Sequence, residues 1–550
     1  MLSKKEKNKN TLIADLFMPG AAHVKPLDVN PDAWTPLMDW VDVYPGNRGV
    51  NKEGIYEHYD IPTGIEIKVE KALQKPIMIA ENPWEGKGMM LAGHFWKEET
   101  KTGNFHFIYD MRGVHSKDDS TVCYAASKDG FEWYRPNLEQ VEFEGSLQNN
   151  IMADGPNAGS GVFEDPTASS EERFKAIGQE GGWFDPDTNE LLSGEEGYKR
   201  FEAQEYGGKN YKGPRTILRH YVVARHSSDR IHWEKSTLPV GNFPSDGGNS
   251  TGYDAVTGMY YTYMRVHGFE PTEFKAIGAG IPEKTVGRRS IGLSRTKDFS
   301  NWPPPKLVLY PDGIDPPDLS YYGANYFRYP GRDDIHGMFV QNYHQITDNI
   351  DNQIAFSRDG LLWYRHDRSP IIESGKPGSG YEGLARSRLN GLIDMENGWW
   401  ATLHEGTPWL HNSSWNVNVR RNFNPKEEQN PGQIFMALWK PHRLCGFNAD
   451  GHGQFTLQAR ARRHKELKLN YRCEAGGWID VELMENIPSR LTPDAIGPVK
   501  GFSLNDCDRL TGDSIEKSVT WKGNSDISTV GETIAIRIKM FRTKLFAFFV

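Results

Sequence analysis

Short runs of apolar and β-branched residues, TVCYAAS, RHYVVARHS, RRSIGLS and NQIAFS, each lead through a turn to a tryptophan. The turns are Ser127–Trp133 (SKDGFEW), Ser227–Trp233 (SSDRIHW), Ser294–Trp302 (SRTKDFSNW) and Ser357–Trp363 (SRDGLLW). Asp in a Ser-x-Asp-Gly stretch bonds the backbone ahead of it, and Gly tolerates positive φ, so each segment predicts a tight turn. The tryptophan then opens the next strand and covers the hairpin with apolar surface. These motifs read as structural, and they count repeats.

The motifs recur about every 65–100 residues, a period that suits a four-stranded propeller blade carrying insertions. An acidic residue precedes each one in a Gly/Pro/Tyr-rich stretch taken as the entry to a strand. These residues are Glu85, Asp165, Asp246, Asp318 and Glu382, spaced 80, 81, 72 and 64 residues apart. The expectation is an all-β chain: a five-bladed β-propeller over residues 81–445, wrapped or closed by residues 1–80. Beyond residue 446, WIDVELM and IAIRIKM alternate between apolar and polar positions. That texture predicts an antiparallel β-sandwich over 446–550.

Composition then narrows the function classes. Lys plus Arg number 64 and Asp plus Glu 73, a net charge of −9, which argues against nucleic-acid or membrane-surface partners. The 56 glycines and 33 prolines agree with a turn-rich β protein. Cys123, Cys445, Cys473 and Cys507 form no C-x-x-C pair, so buried free thiols are expected ahead of a Cys473–Cys507 disulfide. The N-terminal MLSKKEKNKNTLIADLF has lysines without an apolar segment behind them, and no signal peptide is read from it. As written the chain reads as cytoplasmic, or periplasmic or secreted if a signal was removed. No apolar run is long enough to span a bilayer.

The SxDGxxW turns, the EDPTASSEERFKAI segment and the tail GWIDVEL…GFSLNDCDRLTGDSIEKSVTWKG resemble the furanosidase propellers. That group includes invertases, levanases, arabinanases and arabinofuranosidases, and the closest likeness is to an invertase-like bacterial subgroup with a C-terminal β-sandwich. The resemblance implies a glycoside hydrolase. The chain lacks the Trp-Met-Asn-Asp-Pro and Glu-Cys motifs of invertases, and Glu164-Asp165-Pro166 is its nearest match to their Arg-Asp-Pro. The resemblance therefore carries over Asp165 alone and leaves sucrose and levan specificity open. Some furanosidase propellers hold a divalent ion in the channel, so a structural calcium is conceivable, although no D-x-D-x-D-G loop supports it.

Glycoside hydrolysis needs two carboxyl groups, one protonated and one ionised. The expected catalytic set is Asp165, Asp246 and Glu382, followed by Glu85 and Asp318; Asp42 is less favoured. Sugars offer apolar faces and hydroxyls, so Trp84, Tyr322 and Tyr381 are expected platforms. Arg265, Arg288, Arg328 and Arg386 are candidates to hold an anionic substituent by bidentate bonds. His344 and His404 lie in strand-like segments expected near the channel, either as structural residues or as substrate contacts. No metal site is assigned.

The expected activity is exo-acting hydrolysis of a furanoside or modified-sugar linkage, with insertions near residues 180–215 and 266–287 shaping the funnel. The expected partner is an oligosaccharide or polysaccharide, with homo-oligomers left open. Other readings are a non-catalytic carbohydrate-binding propeller, a sialidase-like enzyme and a transglycosidase or phosphorylase.

Overall fold

The computed structural model describes residues 33–50, 53–85, 89–97, 104–112, 120–188, 190–241, 243, 247–267, 288–387, 391–411, 432–485 and 497–550. The described chain is nearly all β. It begins with β1 (Thr35–Pro36), β2 (Asn47–Val50), β3 (Tyr56–Tyr59), β4 (Glu66–Val69) and β5 (Leu73–Ile79). The first sheet is β6 (Met89–Lys97), β7 (Phe105–Arg112), β8 (Ser120–Ser127) and β9 (Trp133–Tyr134). The second is β10 (Gly161–Glu164), β11 (Phe174–Phe184), β12 (Ile217–Ser227) and β13 (Glu234–Lys235). The third is β14 (Ser250–Asp254), β15 (Met259–His267), β16 (Arg289–Thr296) and β17 (Lys306–Leu309).

The fourth sheet is β18 (Leu319–Arg328), β19 (His336–His344) and β20 (Asn349–Ser357), with Tyr364 bridged to Phe356 at its outer edge. The fifth is β21 (Leu384–Ser387), β23 (Trp400–Thr407), β24 (Gln433–Trp439) and, at its outer edge, β5; β22 (Ile393–Asp394) pairs β23. One parallel pair, Ile350 with Leu384, joins the fourth sheet to the fifth.

Every one of these sheets is apolar on both faces, because each face meets a neighbouring sheet. On β7, Phe107 and Tyr109 pack with Ile434 and Met436 of the fifth sheet, while Ile108 points the other way into a core with Phe174 and Ala176 of the second. The second and third sheets share Ile177, Val222, Tyr260 and Met264. The third and fourth share Tyr263, Ile291, Met338 and Val340. The fourth and fifth share Phe339, Ile354, Trp400 and Ala437. Side chains alternate across a strand, so two apolar faces need continuous apolar runs rather than strict alternation.

The outer turns form as their chemistry predicts. Ser127 Oγ accepts from Asp129 N at 3.2 Å and Gly130 N at 2.8 Å. Asp129 Oδ1 accepts from Phe131 N at 2.7 Å and Glu132 N at 2.9 Å, and Trp133 Nε1 donates to Gly130 O at 2.9 Å. Ser227–Trp233 and Ser357–Trp363 repeat the pattern. The third copy is shifted by two residues: Thr296, not Ser294, caps Asp298, and Trp302 Nε1 donates to Phe299 O at 2.8 Å. Ser294 Oγ instead donates to Pro303 O.

The C-terminal region is a six-stranded antiparallel sheet built on β25 (Cys445–Ala461), β26 (Lys468–Met484), β27 (Asp513–Ser518) and β28 (Thr533–Phe549). Its order is β27-β26-β28-β25-β4, with β1 on β28. Phe502, Val519, Trp521, Ile527 and Val530 cover one face and complete its core. Within the described N-terminal residues, β4 joins the C-terminal sheet and β5 joins the fifth sheet. β4 alternates, with Ile67 entering the C-terminal core, whereas β5 closes the fifth sheet. All four cysteines are free thiols, Cys123 and Cys445 buried. No described helix is long and apolar enough to cross a membrane.

Candidate functional site

The first strands of the second, third and fourth sheets (β10, β14 and β18) lie side by side, and β6 of the first sheet meets β23 of the fifth. Asn249 N, before β14, donates to Gly159 O, before β10, at 3.2 Å. Tyr326 N of β18 donates to Ser250 Oγ of β14 at 3.1 Å. Gly391 N donates to Asn325 Oδ1, and Ala92 N of β6 donates to Glu405 Oε2 of β23 at 3.0 Å. Glycine permits the approach of β10 to the stretch before β14: a Cβ on Gly161 would fall 2.6 Å from Asn249 O.

Where the first strands end, all five sheets border a cavity of about 530 Å³ lined by Trp96, Glu164, Tyr253, Arg328 and Asp394 among others. Where they begin, the chain places its insertions. β11 and β12 run past β10 at this end to Phe184 and Ile217, and α1 (Gly194–Gly207) lies between them. Ser193 caps α1, accepting from Glu196 N at 3.2 Å. The insertion expected near 266–287 lies largely outside the described residues.

Of the nominated carboxylates within the described residues, Asp165 and Glu85 stand apart from the strand entries that carry Asp318 and Glu382. Asp165 follows β10 at its exit, not its entry, so the strand-entry reading is corrected. Its Oδ2 accepts from Lys175 Nζ at 2.8 Å and Tyr260 OH at 2.7 Å, and its Oδ1 from Thr167 N at 2.9 Å and Thr167 Oγ1 at 2.7 Å. Burial raises its pKa, but these hydrogen bonds outweigh it and hold the carboxyl below its ordinary range.

Glu85 is also corrected, since it lies between the fifth and first sheets. It accepts from Tyr109 OH, from Arg135 Nε at 2.7 Å and from the amides of Glu81 and Asn82. Arg135 in turn donates to Ile79 O at the end of β5. Trp84 belongs to the same structural lock, donating to Asn150 Oδ1 at 2.7 Å and meeting the Phe143 ring edge-on. Arg328 sits at the far mouth on Asp254, at 2.9 Å, rather than with the other arginines. Asp246 lies outside the described residues.

Asp318 and Glu382 do stand at strand entries. Asp318 directly precedes β18, and its Oδ2 accepts from Ile346 N at 3.3 Å. Glu382 precedes β21 by two residues and accepts from Gly380 N at 2.8 Å and Gly378 N at 3.1 Å. Burial raises the Glu382 pKa, but the hydrogen bonds from backbone amides and Ser379 together outweigh it and hold the carboxyl below its usual range.

The same mouth gathers the remaining nominees. Arg386 on β21 is fully buried and ion-pairs with Glu405, which is 2% exposed. The Tyr322 ring lies 5.5 Å from the Arg386 guanidinium, 4.2 Å from that of Arg265 and 5.5 Å from that of Arg289. Arg265 Nη1 also donates to Tyr322 O at 2.9 Å. His411 meets the same ring edge-on at 4.8 Å, and Tyr343 lies 6.1 Å away. His344 Nε2 contacts Asp351 Oδ2 at 2.8 Å, and that bond raises the His344 pKa against burial.

His404 stacks on Phe435 at 5.1 Å, with Tyr381 packed on Phe435 at 4.4 Å. Burial lowers the His404 pKa to about 4, so its ring is neutral at pH 7.

Glu405 and Arg289 were not singled out from the sequence. Glu405 adjoins His404, and adjacent strand residues face opposite ways, so naming one says nothing of the other. Arg289 adjoins the nominated Arg288. Period-2 spacing from the apolar Ile291 and Leu293 puts Arg289 on the inward face, a signal legible once the strand is phased. Among the described residues, no group of three or more His, Cys, Asp or Glu is placed to hold a metal ion.

No known family profile matches the chain, and no curated relative matches it. Among solved structures it is similar to a complex of BT0996 with RGII, at 13% identity over 68% of this protein and 93% of that one, TM-score 0.41. It is also similar to the Bombyx mori GH32 beta-fructofuranosidase BmSUC1, at 10% identity over 83% of this protein and 92% of that one, TM-score 0.37. A third is the xylan beta-1,4-xylosidase from Bacillus halodurans C-125, at 10% identity over 83% and 99%, TM-score 0.34.

Proposed function

We propose that this chain is a glycoside hydrolase built on a five-bladed β-propeller, with the C-terminal sheet and its covering layer as a β-sandwich accessory unit. The observation that carries the activity is the meeting of Glu405, Arg386 and Tyr322 where the inner strands begin, with Asp318 and Glu382 at two neighbouring strand entries. Hydrolysis adds water across a glycosidic C–O bond. One carboxyl group gives its proton to the leaving oxygen, and a carboxylate either attacks the anomeric carbon or takes the proton of the attacking water. Glu405, Asp318 and Glu382 are the carboxylates proposed for these jobs, with Asp246 retained as a fourth candidate. Asp165 and Glu85 are proposed as structural, because their oxygens are filled by partners in their own and adjoining sheets.

The Tyr322 and Tyr381 rings offer apolar faces to a sugar, and His344 and His404 offer hydrogen-bonding edges. Insertions at this mouth favour exo attack on a chain end, of a furanoside or modified sugar. The test is chromatography of sugars released from a panel of plant, algal and bacterial glycans by wild type, Asp318→Asn and Glu382→Gln. Release by wild type that falls in either variant supports the reading. Release that neither substitution alters removes both from the machinery, and binding without release makes the chain a carbohydrate-binding propeller.

A further inference from the structure

The cavity where the inner strands end lies opposite the proposed hydrolytic mouth and takes no part in the hydrolytic reading. At about 530 Å³ it falls within the roughly 300–1,000 Å³ of small-molecule sites. Half-buried aromatic rings from three sheets line it: Trp96 of β6, Phe163 of β10, Tyr253 of β14 and Tyr261 of β15. Tyr261 stands opposite Gly252 in the β14–β15 ladder, and a Cβ on Gly252 would fall 2.4 Å from the Tyr261 hydroxyl. With no side chain on Gly252, Tyr261 folds back across β14 at the cavity wall.

An aromatic ring laid over a bare glycine is a packing device, and packing accounts for the ring. It does not account for the hydroxyl, which makes no hydrogen bond among the described residues. Tyr326, on the same wall, has its hydroxyl engaged by His336 Nδ1 at 2.9 Å. Burial holds the Tyr261 pKa well above its ordinary value, so the hydroxyl stays protonated and able to donate. The charged side chains of the wall are mostly neutralised in place. Lys97 pairs with Glu396 at 2.5 Å, Arg328 with Asp254 at 2.9 Å and Glu164 with Arg173 at 2.5 Å. Asp394 accepts from the Glu396 amide at 2.9 Å and stays exposed on the rim. The wall thus offers aromatic surface, a phenol donor and carboxylate acceptors. That set complements a neutral sugar, which presents apolar C–H faces and hydroxyls, better than it does an ion.

We infer that this cavity is a second, non-catalytic carbohydrate site for a neutral sugar residue, with Tyr261 as donor and the Tyr253, Phe163 and Trp96 rings as walls. The inference rests on the glycosidase reading only for the glycan that supplies the sugar; the chemistry of the cavity stands apart from catalysis.

The test is a ligand-observed NMR titration of the full chain with the methyl glycosides of glucose, galactose, xylose and arabinose. Tyr261→Phe removes the donor without breaking a hydrogen bond among the described residues, and Gly252→Ala sets a methyl group against it. Binding of one or more glycosides that weakens about fivefold or more in Tyr261→Phe, with an unchanged melting temperature, supports the inference. The same binding should weaken in Gly252→Ala and persist in Asp318→Asn and Glu382→Gln, because those carboxylates stand at the other mouth. Binding that neither Tyr261→Phe nor Gly252→Ala alters, or that falls with the carboxylate variants instead, puts the sugar elsewhere and overturns the site. Binding of none of the glycosides overturns it too. Sugar release from the glycan panel decides the hydrolase independently, and Tyr261→Phe should keep the wild-type rate on short oligosaccharides. Tyr261-dependent binding without release from any glycan leaves the cavity site standing and overturns the hydrolase.

Discussion

Two buried carboxylate–cation pairs, Asp165–Lys175 and Glu405–Arg386, look alike in chemistry and differ in place. Asp165 closes the exit of β10, and its four acceptor bonds come from Lys175, Thr167 and Tyr260, residues that lock the second sheet to the third. Glu405 and Arg386 line the opposite end of the inner strands. There Glu405 reaches across to Ala92 N of the first sheet, and Arg386 faces Tyr322 of the fourth. One pair joins the second sheet to the third; the other spans three sheets at the mouth that carries the insertions. A buried charge pair is thus no guide to function until its position along the inner strand is known.

The largest expected effect breaks the structural pair. Asp165→Ala strands Lys175 in the sheet interface and should cost about 3 kcal/mol or more in urea unfolding. The double variant Asp165→Leu/Lys175→Met should recover most of that loss, whereas no recovery would mean that Asp165 acts outside the pair. Acid should act next, through buried histidines. Burial holds His404 and His336 at about 4, with Arg328 adding to the effect on His336. Unfolding lets both rise toward 6.5, so the unfolded chain binds more protons between those values. Stability should therefore fall from pH 6.5 to 4, by about 3 kcal/mol per histidine. His404→Gln should flatten that slope in a pH series of denaturation midpoints.

Asp129→Ala removes the side-chain acceptor of two backbone amides in one outer turn and should cost about 1 kcal/mol, with glycan binding unchanged. Smallest is the His344–Asp351 pair. Its folded pKa is raised, so its contribution is complete below about pH 6.5 and fades as pH rises through the folded value. Asp351→Asn should erase that alkaline fade.

Much of the architecture was legible because local chemistry encodes it. Three Ser-x-Asp turns fold in the register read from sequence. The fourth misled because Ser294 and Thr296 both precede Asp298, and only the strand's end decides which hydroxyl caps it. The N-terminal segment was less legible: β4 and β5 are short strands whose partners, β25 and β24, lie hundreds of residues away. The acidic nominees split for a similar reason. An Asp-Pro step looks the same at a strand's entry or exit, and the partners that saturate Asp165 and Glu85 come mostly from other strands. Tyr322, Arg265 and Arg386 were named from neighbouring motifs, but their convergence on one ring exists only in three dimensions.

The most direct measurement is initial sugar release by Glu405→Gln and Asp165→Asn on the same glycan, at equal folded fraction. The account predicts that Glu405→Gln loses about a hundredfold or more in rate. Asp165→Asn should keep wild-type rate per folded molecule while melting at a lower temperature. Full activity in Glu405→Gln with loss in Asp165→Asn would contradict it and return catalysis to the exit of β10.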